Sequence, residues 1–362
     1  MKVNITEILS AEFKENFFVK EGEINKIPCL LINPRPDVKW TKENIVFRSS
    51  IWDFDGNLIS ASFKKFVNMF ENPDVFPPPK DLNKSVIVDK KDGSTFICDL
   101  INGKLNVRTR GTLSYSTLDN AVDFKYTIDK YPQISTILEK FPNYTLLFEI
   151  TTPSNRIIID YGKETEIHLI GIIDKDTYDM VYQFMIDQIA DIFRFKRPEK
   201  YFANSVDELI AQIKSSKGIE GCCVYVNNDQ DIFKIKSDYW LKLNGLKNDL
   251  GSFDRLVALY LSLEDRNYDN LEKHIISNFD FEILEFCKDN LEKLKSFIDK
   301  AEKICQDISM FISLNNLTSL SRKEAAYLII EHYSDFKGAA FRILDGAENR
   351  ESEETIIKTL IK

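Results

Sequence analysis

The chain has 362 residues, 43% of them hydrophobic and 12% aromatic, with a net charge of −9. That length and composition suit packed cores in two domains and exclude a disordered protein, and no continuous apolar run reaches membrane length. The acidic balance argues against a general nucleic-acid coat, six cysteines without a CxxC pair argue against a zinc site, and three scattered histidines leave a Ser-His-Asp triad little to draw on.

At the start of the chain, Glu7, Glu12 and Glu15 interrupt the stretch where an export signal needs unbroken apolar residues, so a soluble, cytoplasmic protein with reduced cysteines is expected. Up to about residue 245, short β-rich segments at 86–88, 96–101, 146–151, 156–160, 167–173, 222–226 and 232–236 are separated by turns rich in Gly, Asn and Asp. Residues 51–60 read as strand, turn and strand around Asp55-Gly56. Pro73 and the run Pro77-Pro78-Pro79 make residues 71–80 a stiff surface connection. Helical spacing appears at 131–140, at 207–215 and over 175–195, where Tyr178, Tyr182, Met185, Ile189 and Ile192 recur.

After Asn248 the texture changes. Leu284, Cys287, Leu291, Leu294, Ile298, Ala301, Ile304, Ile308 and Phe311 repeat at steps of three and four, and Ser321 to Glu324 has the form of a capping box. The expected architecture is α+β, with antiparallel sheets over residues 1–245 and an all-α domain over 246–362. Residues 245–362 carry 16 Lys and Arg against 22 Asp and Glu, which leaves only −3 on the first 244 residues. A basic cleft is compatible with that half. Lys84, Lys90, Lys91, Lys104, Arg108 and Arg110 concentrate in one stretch, and Arg194, Lys196, Arg197 and Lys200 form a second knot.

With few histidines, chemistry must run on lysine, arginine and carboxylate. Lys90-Lys91-Asp92-Gly93-Ser94 lies between two apolar strands, where Asp-Gly is a strong hairpin signal and a preceding lysine is ordinarily a solvated turn residue. Glu149 lies between Phe148 and Ile150, so its side chain points away from theirs, as a solvent-facing carboxylate would. Glu220-Gly221 precedes an apolar strand. Lys234 and Lys236 alternate with bulky residues, which puts both ammonium groups on one strand face. Arg108 and Arg110 alternate likewise. Arg48, Lys65 and the string KKFVN flank residues 51–60.

In this order, Lys-x-Asp-Gly, Glu after Leu-Phe, Glu-Gly and Lys-x-Lys resemble the covalent nucleotidyltransferases. The strings LLFEITTPSNRIIIDY, IEGCCVYV, FKIKSDYW and KKFVN resemble the phage-type ATP-dependent RNA ligases of tRNA repair, over the first 245 residues. The resemblance implies an adenylyltransferase domain that uses ATP with Mg²⁺ or Mn²⁺ and passes through lysyl-AMP. It implies Lys90 as nucleophile, Glu149 on the ribose, Glu220 supporting metal and lysine, and Lys234 with Lys236 on the α-phosphate. Arg48 and Lys65 correspond to groups that orient the β- and γ-phosphates, and Arg110 stands where the family more often has lysine. Two further departures are Arg48-Ser49-Ser50 in place of Arg-Gly, and Tyr239-Trp240 in place of Trp-Tyr. A free lysine, with its pKa of ~10.4, is protonated at neutral pH, so nearby Lys234 and Lys236 and partial burial are expected to lower the pKa of Lys90. Lys91, between nucleophile and Asp92, is expected to point to solvent.

The implied substrates are RNA 5′-phosphate and 3′-hydroxyl ends, cleaved tRNA among them, with the helical domain selecting RNA or only buttressing the catalytic half. No GxxxxGK[ST] string occurs, so a separate kinase and phosphatase would heal the ends. A capping enzyme or DNA ligase shares the lysine motifs but appends a small β-barrel after Lys-x-Lys. An inactive RNA-binding relative is the remaining alternative.

Overall fold

Alternating apolar residues in the first half of the chain produce thirteen short strands, and the structure, a computed structural model, describes residues 2–263, 266–278, 281–347 and 349–361. The chain divides into two compact units, residues 1–241 and 242–362. In the first, α1 (Ile5–Ile8) and α2 (Ala11–Asn16) are capped by the side chains of Asn4 and Ser10. They lead into an antiparallel sheet of β1 (Phe17–Ile24), β2 (Ile27–Pro34), β3 (Ser50–Asp53) and β4 (Leu58–Ser60), in that order. Strand β2 is covered on both faces: Leu30 and Ile32 join the main core beside Trp52, while Cys29 and Leu31 join a smaller cluster with Ile24 and Ile51.

The strands that follow are β5 (Val67–Asn68), β6 (Val86–Lys90), β7 (Ser94–Ile101), β8 (Lys104–Arg108), β9 (Tyr144–Thr151), β10 (Glu166–Asp174), β11 (Lys200–Tyr201), β12 (Gly221–Val226) and β13 (Asp231–Lys236). They form two further sheets, ordered β10-β9-β7-β8 and β11-β6-β12-β13-β5. Pairing is antiparallel throughout except between β13 and β5. Helices α3 (Ala121–Lys130), α4 (Gln133–Lys140) and α5 (Gln183–Phe193) bury Phe124, Ile134, Ile137, Leu138, Ile186 and Ala190 in the main core with Phe96 and Phe148. Helix α6 (Val206–Ser215) instead sets Leu209 and Ile213 on the third sheet, against Cys222, Val224 and Phe233.

The fold is therefore α+β, and four local expectations need correction. Asp92-Gly93 is not a hairpin turn, because β6 pairs with β11 and β12 whereas β7 pairs with β8 and β9. The segment passes the chain from one sheet to another. Residues 156–160 are not a strand, since the amides of Ile158 and Ile159 donate to Asp92 Oδ2 at 2.7 and 2.8 Å rather than to a neighbouring strand. The helix expected over 175–195 begins only at Gln183, after a turn in which Tyr178 adopts φ 65° and its buried hydroxyl donates to Val46 O. Tyr182, Met185 and Ile192 from its expected stripe are exposed. Arg108 does not share a solvent face with Arg110: it is fully buried, with its guanidinium spent on Ser49, Ser60, Ala61 and Thr109.

Helix α7 (Asp238–Leu250) carries the chain into the second unit, which contains α8 (Phe253–Ser262), α9 (Tyr268–Asn278), α10 (Phe281–Leu314), α11 (Arg322–Tyr333), α12 (Lys337–Leu344) and α13 (Asn349–Ile361). No strand occurs among its described residues. Along α10 the apolar stripe buries Cys287, Leu291, Leu294, Ile298, Ala301 and Ile308; Ile304 and Phe311 are half-buried, and Leu284 falls outside the described side chains. The capping box at Ser321 and Glu324 is formed in both directions. No described helix is long and apolar enough to cross a membrane.

Candidate active site

Strand register brings the lysines together. Gly221 on β12 lies opposite Lys90 on β6 and also opposite Lys236 on β13, and Cys223, two residues on, lies opposite Lys234. Residues in register across a sheet project from the same face, so Lys90, Lys234 and Lys236 share one. Glycine is required between them: a Cβ on Gly221 would sit 2.0 Å from Ile235 O. The residue before it, Glu220, is 3% exposed and bridges two of the lysines, with Oε2 2.7 Å from Lys90 Nζ and Oε1 3.2 Å from Lys236 Nζ.

The crossover after Lys90 approaches the second sheet closely enough that a Cβ on Gly93 would lie 2.3 Å from Ile150 O. The Gly93 amide donates to Glu149 Oε1 at 3.2 Å. Glu149, flanked in register by Thr95 and His168, thus faces inward rather than to solvent. Asp92, 4% exposed, holds the crossover in place. Its carboxylate accepts from Ile158 and Ile159, and its amide donates to the Tyr161 hydroxyl at 2.8 Å.

These elements surround a cavity of about 590 Å³. Its charged lining comprises Arg48, Lys90, Lys91, Arg110, Lys234 and Lys236 against Asp89, Glu149 and Glu220, a surplus of cations within an acidic chain. Among the described residues, neither Lys234 nor Arg110 has a carboxylate partner within ion-pair distance. Burial, followed by the charges of Lys236, Lys65, Lys90 and Arg48, pulls the Lys234 ammonium down to about 8. Burial also brings Arg48 down to about 10, with Arg110 adding to the effect. Glu149 is pushed up to about 7 by burial, against the charge of Lys90 and with that of Glu220. Such a field stabilises an anion that none of the protein's own groups supplies.

Several expected positions fall elsewhere. Lys65 does not line this cavity; it borders a neighbouring one of about 350 Å³ and lies 3.9 Å from Glu71. Lys91 does not point to solvent, since its ammonium pairs with Asp89 at 2.7 Å and lies over the Tyr161 ring at 5.2 Å. The expected depression of the Lys90 pKa is reversed: burial acts to lower it, but the charge and hydrogen bond of Glu220, with Glu149 and Cys223 adding to them, raise it above the ordinary lysine value. In the second basic knot, Lys196 pairs with Glu166, while Arg197 and Lys200 share Asp187. Trp240 lies under Lys236 at 3.6 Å. Helix α3, whose Phe124 lines the cavity together with the preceding Asn120, and the clasp around Asp92 escaped the sequence reading. Local signs of α3 are the spacing of Phe124 and Thr127, with Asp123 in its first turn and Lys130 in its last.

The donor chemistry suits a hard divalent cation. Mg²⁺ is commonly held by one or two carboxylates together with substrate phosphates, and Glu220 and Glu149 are the inward-facing carboxylates beside Lys90. No group of three metal-ligating side chains occurs among the described residues.

The cavity thus lies in an antiparallel α+β unit, with Lys90 at the crossover from one sheet to the next. Residues 46–244 match the family described as RNA ligase, and the chain belongs to that family. A protein of Autographa californica nuclear polyhedrosis virus assigned as a bifunctional polynucleotide kinase/RNA ligase is 25% identical over 200 residues, covering 52% of this chain and 28% of that protein. One from Thermovibrio ammonificans assigned as an RNA ligase is 22% identical over 250 residues, covering 66% of this chain and 63% of that protein. The chain therefore spans less than two thirds of the length of either relative. A solved structure from Aquifex aeolicus, assigned as an ATP-dependent DNA ligase, superposes with a TM-score of 0.50 at 16% identity, over 83% of this chain and 79% of that one. At that identity the likeness concerns the fold alone.

Proposed function

We propose that this protein is an ATP-dependent RNA ligase that adenylylates itself on Lys90, transfers AMP to an RNA 5′-phosphate and seals that end to a 3′-hydroxyl. The observation that carries the reading is the register around Gly221, which sets Lys90, Lys236 and Glu220 side by side in a net-cationic cavity. In the first step the Lys90 Nζ–phosphorus bond forms as the bond from the α-phosphorus to pyrophosphate breaks. Lys90 must first lose a proton to solvent, which requires its pairing with Glu220 at 2.7 Å to weaken, as a divalent cation drawn to that carboxylate would make it do. Lys234 and Lys236 hold the α-phosphate, Arg48 and Arg110 reach the remaining phosphates, and Glu149 accepts from the ribose. Lys65, outside the cavity wall, acts on the outer phosphates only through a shift of its side chain. A Mg²⁺ or Mn²⁺ ion held at Glu220 would offset charge on the phosphate oxygens.

In this reading residues 1–245 form the adenylyltransferase domain and 246–362 a domain that selects the RNA. Its acidic balance favours recognition of a local feature such as a loop over broad phosphate contact. Cleaved tRNA is the proposed physiological substrate, with separate enzymes healing its ends, in the cytoplasm. The test is incubation with ATP labelled at the α-phosphate, followed by a choice of 5′-phosphorylated ends. Covalent labelling from ATP and transfer to RNA is expected, with a nicked tRNA loop preferred over linear RNA. Labelling only from GTP, or transfer only to DNA ends, would overturn the reading.

A further inference from the structure

Arg48 and Lys234 come from distant parts of the chain, the first from the segment before β3 and the second from β13, yet both meet the same aromatic ring. Arg48 Cζ lies 4.6 Å from the Phe66 centroid, and Lys234 Nζ lies 5.6 Å from it. The ring is itself fixed. Phe63 meets it edge-on at 6.0 Å and 85°, and the chain just after it is tied to β13 by the pairing of Val67 with Phe233 and of Asn68 with Lys234. Met69 N also donates to Lys234 O at 3.0 Å.

Two cations gathered in a partly dry cavity repel each other and favour their neutral forms. A carboxylate could offset this, as Glu220 does for Lys90 and Lys236, but it would occupy the donors that an incoming phosphate needs. An aromatic face attracts cations through its quadrupole without accepting strong hydrogen bonds, so it stabilises them and leaves their N–H groups free. Among the described residues, Lys234 has no carboxylate partner and Arg48 makes one long hydrogen bond, from Nη1 to Phe63 O at 3.5 Å, which matches that arrangement.

We propose that Phe66 is a positioning residue that gathers Arg48 and Lys234 into a preformed clamp for the triphosphate. The inference rests on the adenylylation reading above and adds a residue to it. The alternative is a ring that only fills the wall between the two cavities it borders.

The experiment measures the rate of covalent labelling by α-labelled ATP, the KM for ATP and the melting temperature of the full chain. It compares wild type, Phe66→Leu, Phe66→Tyr and a series with fluorinated phenylalanines at position 66. Leucine keeps apolar bulk and loses the quadrupole, tyrosine keeps both, and fluorination drains the quadrupole at nearly constant shape. Phe66→Leu is expected to raise KM for ATP roughly tenfold, Phe66→Tyr to stay near wild type, and KM to climb with each added fluorine while melting temperature holds. Equal KM values across the fluorinated series, or losses that follow melting temperature alone, would overturn the role of Phe66. A wild-type protein that takes no label from ATP would overturn the adenylylation reading itself, and is distinguished by failing before any variant is compared.

Discussion

Replacing Arg108 by methionine removes a fully buried guanidinium that donates to Ser60 Oγ at 2.7 Å, Ser49 Oγ at 3.0 Å and the carbonyls of Ser49, Ala61 and Thr109 at 2.8, 3.2 and 3.1 Å. Ser60 in turn donates to Asp99, itself fully buried, and the charges of Lys175 and Arg108 both favour that carboxylate's ionised form. Methionine fills part of the volume but leaves five acceptors without their donor and removes a cation that acts on Asp99. Summing hydrogen bonds would overshoot, because water competes for each in the unfolded chain; removal of one partner from a buried charge network costs about 3–5 kcal/mol. For a unit of this size that lowers the melting temperature by roughly 6–20 °C. Arg110→Met, two residues on, removes an exposed side chain and should change stability by less than ~0.5 kcal/mol. It should nevertheless slow labelling by ATP about ten- to a hundredfold, the loss expected for one charge-assisted phosphate contact. Calorimetry of the full chain alongside the labelling assay separates the two. An Arg108→Met protein that melts within about 2 °C of wild type would refute the reasoning, as would an Arg110→Met protein that loses stability rather than labelling.

The pH dependence follows from Lys234, brought down to about 8 by burial and its cationic neighbours. The charged form, which exists below that pH, is the one that holds phosphate, so kcat/KM for ATP should fall as pH rises through about 8, and Lys234→Arg should remove that alkaline limb. Gly93→Ala places a Cβ 2.3 Å from Ile150 O, backbone that cannot swing aside, and should cost ~1–3 kcal/mol in denaturant melts together with most of the labelling. Asp92→Ala strands the amides of Ile158 and Ile159, and should cost ~1–3 kcal/mol while opening residues 157–161 to proteolysis, with Asp92→Asn recovering part of both. Wild-type resistance in Asp92→Ala would mean that the loop is held by other contacts.

What the sequence made legible was local. Period-two alternation put Lys234 and Lys236 on one face, the apolar stripe on α10 and the capping box at Ser321 marked the helical unit, and the family resemblance rested on strings that retain their order. What it concealed depends on partners distant in sequence. Asp-Gly after Lys91 is an ordinary hairpin signal, and nothing local reveals that Asp92 is engaged by amides more than sixty residues away. Glu149 reads as solvent-facing because alternation gives the side of a strand but not what covers it. Arg108 and Arg110 look alike until the first sheet is packed over one of them. The charge state expected for Lys90 came from counting lysines; the register that seats Glu220 against it reverses the sign.

In the proposed reaction Lys90, among several lysines lining one cavity, carries the nucleotide. The direct measurement is peptide mass spectrometry of the full chain after incubation with ATP and Mg²⁺, with acid treatment to test for the lability of a phosphorus–nitrogen bond. One acid-labile adenylyl group is expected on Lys90 and none on Lys91, Lys234 or Lys236, with the adduct lost in Lys90→Ala. An adduct on another lysine, or one that persists undiminished in Lys90→Ala, would contradict this assignment of Lys90.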